Sequence, residues 1–287
     1  MQGKPSPPTS QPFSDFSLSQ LDAYIDQTFH SNVVYCDLPF RHWIIDEFLP
    51  ETLATSLLDA FPNSKHDCWD NYNYEMQRKS ASNHFVTLPL PIQSFIAYLS
   101  NISFVSKLET LTSIQPLLAD PSLDGGGLHQ IFRGGSLAVH ADFSRHKKYD
   151  ITRRLNLIYY LNRDWQVSFR GSLCLYDSTG TIVQKEISPI FNRLIIFETT
   201  NTSFHGHPEP LSSPSSISRK SIALYYYTSK PHHSCSGINT RWRRPMMRKP
   251  RFLFIRKSVS LCIWHLVCLS QYLQDCLKHI HDQVDPW

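Results

Sequence analysis

The sequence predicts a mainly β protein with flanking helices, built on a double-stranded β-helix (jelly roll) core over residues 121–232. Three observations carry that expectation. After Pro121 the chain breaks into many short apolar runs separated by turn residues, with few helical periods among them. Before it, apolar residues recur at helical spacing behind prolines. The composition is that of a folded, aromatic-rich chain, with 41% hydrophobic and 13% aromatic residues against 18% charged. At 287 residues there is room for one good core and a small appendage.

In chain order, residues 1–17 are Pro/Ser-rich and read as a disordered tail. Residues 18–120 read as a mixed, helix-rich support region. His42 to Phe48 suits a strand. Pro50 then opens a helix with Leu53, Leu57, Leu58 and Phe61 on one face, and Pro62 ends it. Residues 64–90 are polar and aromatic with no period, so no element is assigned there. Helices follow at Pro91 to Leu99 and Ser103 to Leu111. The core strands expected next are Leu128–Phe132, the run into His140, Arg154–Leu161, Ser172–Tyr176, Thr181–Ile187, Arg193–Glu198 and Ser218–Thr228. Gly125-Gly126-Gly127 leads into a strand with no Lys-Ser/Thr behind it, so it is not a phosphate loop.

Residues 233–287 read as a basic arm and a C-terminal helix. Residues 241–257 carry eight Lys and Arg and no acid; against +4 for the whole chain, the remainder is mildly acidic. A general nucleic-acid binder would be basic over its folded face, so no nucleic acid is expected as a partner. Residues 258–274 lack charged side chains but are too short and too polar for a span. A helix packed on the body is favoured there over membrane contact. Seven cysteines without a CxxC pair, and no apolar leader, indicate free thiols and a cytoplasmic protein.

The chemistry centres on His140-Ala141-Asp142. Residues two apart on a strand share a face, so His140 and Asp142 project together. His205, 63 residues after Asp142, is the candidate third ligand. Two His and one carboxylate on one side of an ion leave positions open for substrate and oxygen, the arrangement of non-haem Fe(II) oxygenases. His207 would share the face of His205 and is the alternative ligand. His129 and His146 are expected at solvent or on the substrate side.

From Gly125 to Thr228 the chain resembles the Fe(II)/2-oxoglutarate-dependent dioxygenases of the prolyl 4-hydroxylase alpha-subunit-like family. The matching text is His140-Ala141-Asp142, the segment Arg154-Leu155-Asn156-Leu157-Ile158-Tyr159-Tyr160-Leu161-Asn162-Arg163-Asp164-Trp165, Gly171 to Leu175, Ser203-Phe204-His205-Gly206, and Arg219 to Tyr225. The resemblance implies iron on His140, Asp142 and His205, and the far carboxylate of 2-oxoglutarate on Arg219, 14 positions after His205. It places the Tyr160 hydroxyl near the co-substrate. Ser221 shares the face of Arg219 and can add a donor, whereas Lys220 should face away. Two departures stand out: Arg170 replaces the first of two usual glycines, and Phe132 sits where a tyrosine is common.

The implied activity is hydroxylation of a C–H bond with Fe(II), 2-oxoglutarate and O2, ascorbate as a further reductant, and succinate and CO2 as co-products. The substrate is a small molecule, or a prolyl or other residue of a peptide or protein. The alternatives are a non-catalytic jelly-roll binding module and a cupin-like metal enzyme without 2-oxoglutarate. Arg219 has no role in the latter.

Overall fold

The structure is a computed structural model that describes residues 17–120, 122–229 and 239–243. The expected tail, most of the basic arm and the expected C-terminal helix lie outside the described residues. Among the described residues no helix is long and apolar enough to cross a membrane.

The N-terminal region alternates helices with strands. Helix α1 (Leu18–Ser31) starts at a capping box: the Ser17 hydroxyl accepts the Gln20 N–H while the Gln20 amide oxygen accepts the Ser17 N–H. Strands β1 (Val33–Cys36) and β2 (His42–Ile45) form a hairpin. Helix α2 (Glu51–Asp59) follows Pro50 as expected. Then β3 (Asp70–Tyr74) and β4 (Gln77–Ser82) form a second hairpin. Helices α3 (Leu90–Leu99) and α4 (Ile102–Thr112) close the region, the latter capped by the Asn101 side chain on the Phe104 N–H. A two-residue strand β5 (Leu118–Ala119) leads into the core.

The core strands are β6 (Gly127–Ile131), β7 (Ser136–Ala141), β8 (Thr152–Tyr160), β9 (Leu173–Tyr176), β10 (Val183–Ile187), β11 (Arg193–Glu198), β12 (His205–His207) and β13 (Arg219–Thr228). A short β14 (Arg241–Trp242) pairs with β7. The strand order is β1-β2-β11-β8-β13-β6-β4-β7-β12-β9-β10, and the pairs are antiparallel. The strands β11, β8, β13 and β6 form one wall and β7, β12, β9 and β10 the facing wall, the double-sheet jelly roll expected.

Alternation on the first wall separates two environments. Leu155, Leu157 and Tyr159 of β8 and Ile222, Leu224 and Tyr226 of β13 join the large core with Leu53, Phe95, Phe104 and their neighbours from the helices. Each such side chain contributes about 1.5–3 kcal/mol by leaving water. The intervening residues, Asn156, Ile158, Arg219, Ser221, Ala223 and Tyr225, look the other way into a cavity.

The hairpin β3–β4 is the main addition to the expected fold. Along the edge opposite β3, strand β4 pairs with β6 through Ser80–Ser82 and with β7 through Gln77 and Arg78, so it joins the two walls. It carries no apolar alternation because its inner face, Gln77, Lys79 and Ala81, lines a polar cavity. β3 beyond it is largely exposed.

Candidate active site

The two walls enclose a cavity of about 370 Å³, within the range of small-molecule sites. His140, Asp142 and His205 meet in it, each offering one ligand atom with all three atoms within 4.8 Å of one another. Among the described residues no other group of three or more His, Cys, Asp and Glu side chains does so.

Backbone pairing positions the histidines. His205 of β12 lies opposite His140 of β7, and their rings are 4.4 Å apart between centroids. The next pair is His207 with Leu137, so two steps along β12 match three along β7. That bulge turns Leu137 and His140 to the same cavity face. It also requires close approach: a Cβ on Gly206 would lie 2.8 Å from the Ala138 carbonyl oxygen and 2.9 Å from that of Leu137. Glycine between the two histidines permits the contact.

Each histidine is fixed in one orientation by the carbonyl two residues before it. His140 Nδ1 lies 2.8 Å from the Ala138 oxygen, and His205 Nδ1 lies 3.0 Å from the Ser203 oxygen. A carbonyl can only accept, so each Nδ1 carries the proton and each Nε2 presents a lone pair. Those Nε2 atoms sit 3.5 and 3.4 Å from the Asp142 oxygens. Burial, reinforced by the His140 ring, lowers the His205 pKa to about 4 and keeps it neutral near pH 7. Phe197 packs edge-on to His205, and Trp242 of β14 lies 4.8 Å from the His140 ring.

Asp142 is held as a carboxylate. Its Oδ2 accepts from Asn156 Nδ2 at 2.7 Å and from Arg153 Nη2 at 3.0 Å. Burial pushes its pKa up, but Arg153 and the two histidines outweigh burial and hold it well below the usual range. Arg153 is itself buried, bonded to Asn156 and stacked 3.3 Å over the Tyr225 ring. Sequence reading passed over Arg153 and Asn156, although Asn156 stood in the quoted segment on the same strand face as Tyr160. The donor set suits a divalent ion: two imidazoles and one carboxylate, each oriented by a second hydrogen bond.

Arg219 lies at the start of β13 and lines the same cavity. Its Nε donates to the Gly171 carbonyl at 2.8 Å and its Nη2 to the Tyr160 hydroxyl at 2.9 Å, which leaves Nη1 without a partner among the described residues. Gly171 is needed there: φ is +75°, and a Cβ would meet the Arg219 chain at 3.2 Å. Tyr160 is fully buried behind Arg219 and does not line the cavity; its hydroxyl reaches the guanidinium. Ser221 is buried, lines the cavity and pairs across the sheet with both Tyr160 and His129. Lys220 lies off the cavity lining, as strand alternation requires.

The other histidines separate. His207 lines the cavity but is not in the ligand cluster, and neither of its ring nitrogens has a partner. His129 lines the cavity as well. His146, expected at solvent or on the substrate side, is instead buried against Asp120 and Ser122, off the cavity lining, and serves as a loop tie. Lys79 is another cavity residue that sequence reading missed.

Residues 126–227 match the 2OG-Fe(II) oxygenase superfamily. The chain is similar to prolyl 3-hydroxylase OGFOD1 of Mus musculus, 27% identical over 202 residues, an alignment covering 66% of this chain and 33% of that protein. It therefore spans about a third of the length of that curated relative. Among solved structures, a prolyl hydroxylase from Trichoplax adhaerens, in complex with a hypoxia inducible factor peptide, superposes with TM-score 0.46 at 20% identity, covering 72% of this chain and 88% of that one. A prolyl-4-hydroxylase from Pseudomonas putida gives TM-score 0.45 at 15% identity, covering 73% and 99%.

Proposed function

We propose, from the match of its core to the 2OG-Fe(II) oxygenase superfamily, that the chain is an Fe(II)- and 2-oxoglutarate-dependent dioxygenase that hydroxylates a C–H bond. The observation that carries this reading is the meeting of His140, Asp142 and His205 with their ligand atoms within 4.8 Å and with both imidazoles oriented from behind. In this reading the three side chains hold the metal on one face. Bound there, iron supplies the oxygen chemistry that couples decarboxylation of 2-oxoglutarate to hydroxylation.

The protein's own residues then have defined work. Arg219 presents its free Nη1 to the far carboxylate of 2-oxoglutarate, while Gly171 and Tyr160 fix the guanidinium plane. Ser221 offers a hydroxyl from the neighbouring position on that strand face. Ile158 and Leu173 line the same cavity and exclude water from its apolar side. Similarity to a prolyl 3-hydroxylase makes a prolyl residue in a peptide or protein the first substrate class to test, with small molecules second.

The test is an anaerobic titration with Fe(II) and then 2-oxoglutarate, followed by visible absorption. A weak charge-transfer band that needs both additions, and is lost in His140→Ala, is the expected result. Iron binding without such a band would overturn the 2-oxoglutarate assignment.

A further inference from the structure

The metal and co-substrate residues leave one part of the cavity without a task. On its β4 side three nitrogen-bearing side chains converge. Lys79 lines the cavity, and its ammonium makes no hydrogen bond or ion pair to any described residue; the centroid of the Tyr72 ring lies 5.9 Å from it. His129 Nε2 is buried without a partner. His207 is only 3% exposed, and both of its ring nitrogens lack partners. Buried polar groups are normally satisfied. Unpartnered imidazole nitrogens and a free ammonium facing one space therefore mark a site for a ligand that can hydrogen-bond to them.

Sheet register sets Lys79 apart from Arg219. Arg219 pairs with Ile131, and Ser80 pairs with Gln130 on the opposite edge of β6. Lys79 is thus two strands from Arg219, roughly 10 Å at ordinary strand spacing. That spacing is between backbones, and both side chains reach into the same cavity. Charge points the same way. Arg153 already holds Asp142. The far carboxylate of 2-oxoglutarate would neutralise Arg219, and its near carboxylate belongs with the metal. Lys79 is left in the cavity without a paired counter-charge.

We infer that Lys79, with His129 and His207 beside it, is a recognition site for a carboxylate of the primary substrate, so that the enzyme prefers an acidic substrate. The inference rests on the dioxygenase reading for the division of labour with Arg219. Lys79 is a specificity residue here and takes no part in the oxygen chemistry.

The experiment uses the full chain, anaerobic and loaded with Fe(II) and 2-oxoglutarate, with N-acetylproline and its primary amide as paired probes in calorimetry. Wild type should bind the carboxylate at least about tenfold more tightly than the amide, the worth of a charge-assisted contact. Lys79→Gln should lose that preference, and Lys79→Arg should keep it. In both variants half-saturation of the charge-transfer band by 2-oxoglutarate should stay within about twofold of wild type. Lys79→Met is the second variant should Lys79→Gln not fold.

Equal binding of the two probes, binding of neither, or a preference that survives Lys79→Gln and Lys79→Met overturns the inference. So does a tenfold loss of 2-oxoglutarate affinity in Lys79→Gln, which would give the ammonium to the co-substrate. Failure of the parent reading looks different. With no charge-transfer band in wild type, a Lys79-dependent carboxylate preference would stand alone as an anion site.

Discussion

The two ends of the cavity are finished differently. At the proposed metal end the three candidate ligands are tied from behind: each imidazole to a carbonyl, Asp142 to Asn156 and Arg153. At the β4 end the nitrogens of His129, His207 and Lys79 face open space. The difference is one of what completes each end. Ligands to an ion must be oriented before it arrives, because misdirected lone pairs cost affinity. Groups meant for a substrate must stay unsatisfied until that substrate binds. The metal end is a finished socket, and the β4 end is half of a hydrogen-bonding pair.

The sharpest way to break the first half of that contrast is to remove a ligand. His140→Ala or Asp142→Ala should abolish succinate release while thermal melting stays close to wild type; retained turnover would remove those residues from the metal. Next comes the co-substrate anchor. Arg219→Ala should weaken 2-oxoglutarate about 100-fold, from the loss of a charged, buried donor set, whereas Lys220→Ala should change it less than about twofold. Titrating the charge-transfer band in both variants decides this, and the reverse order would shift the anchor by one residue.

The ties behind the ligands come third. Arg153→Met should cost about 10- to 100-fold in iron affinity. It should also let the Asp142 pKa rise, because the guanidinium that outweighs burial is gone. Iron binding to the variant should then fall off at a higher pH than in wild type, as a competition assay from pH 5 to 7 would record.

The β4 end should answer to pH in the opposite sense. Burial, with Arg219 nearby and Asp142 opposing, brings Lys79 down to about 8. Its ammonium is present below that pH and lost above it. The carboxylate preference should therefore hold at pH 7 and decline through pH 8 to 9, with His129 neutral across that window. The smallest effect expected is that of Tyr160→Phe. It removes one hydrogen bond to Arg219, worth about 1 kcal/mol or roughly fivefold in 2-oxoglutarate affinity.

Legibility in the sequence followed periodicity. Helices α2, α3 and α4 and strands β8, β9, β11 and β13 have strong apolar patterns because one face of each meets a dry core. The hairpin β3–β4 had none, since its faces meet solvent and a polar cavity. Its invisibility hid Lys79 as well. Arg153 was hidden for another reason: a charged residue among apolar neighbours on a strand reads as a surface position, and only its stacking on Tyr225 and its bond to Asp142 account for its burial.

The sequence by itself determined the jelly roll, the pairing of His140 with Asp142 on one face, and the placement of Arg219 and Ser221 together, because side-chain direction along a strand follows from a period of two. Tertiary structure decided what alternation cannot express. It brought His205 against His140 across a bulge, put Tyr160 behind Arg219 instead of in the cavity, and inserted β4 between the two walls. Those outcomes depend on register between strands distant in the chain, and a local pattern carries no information about which strand lies alongside it.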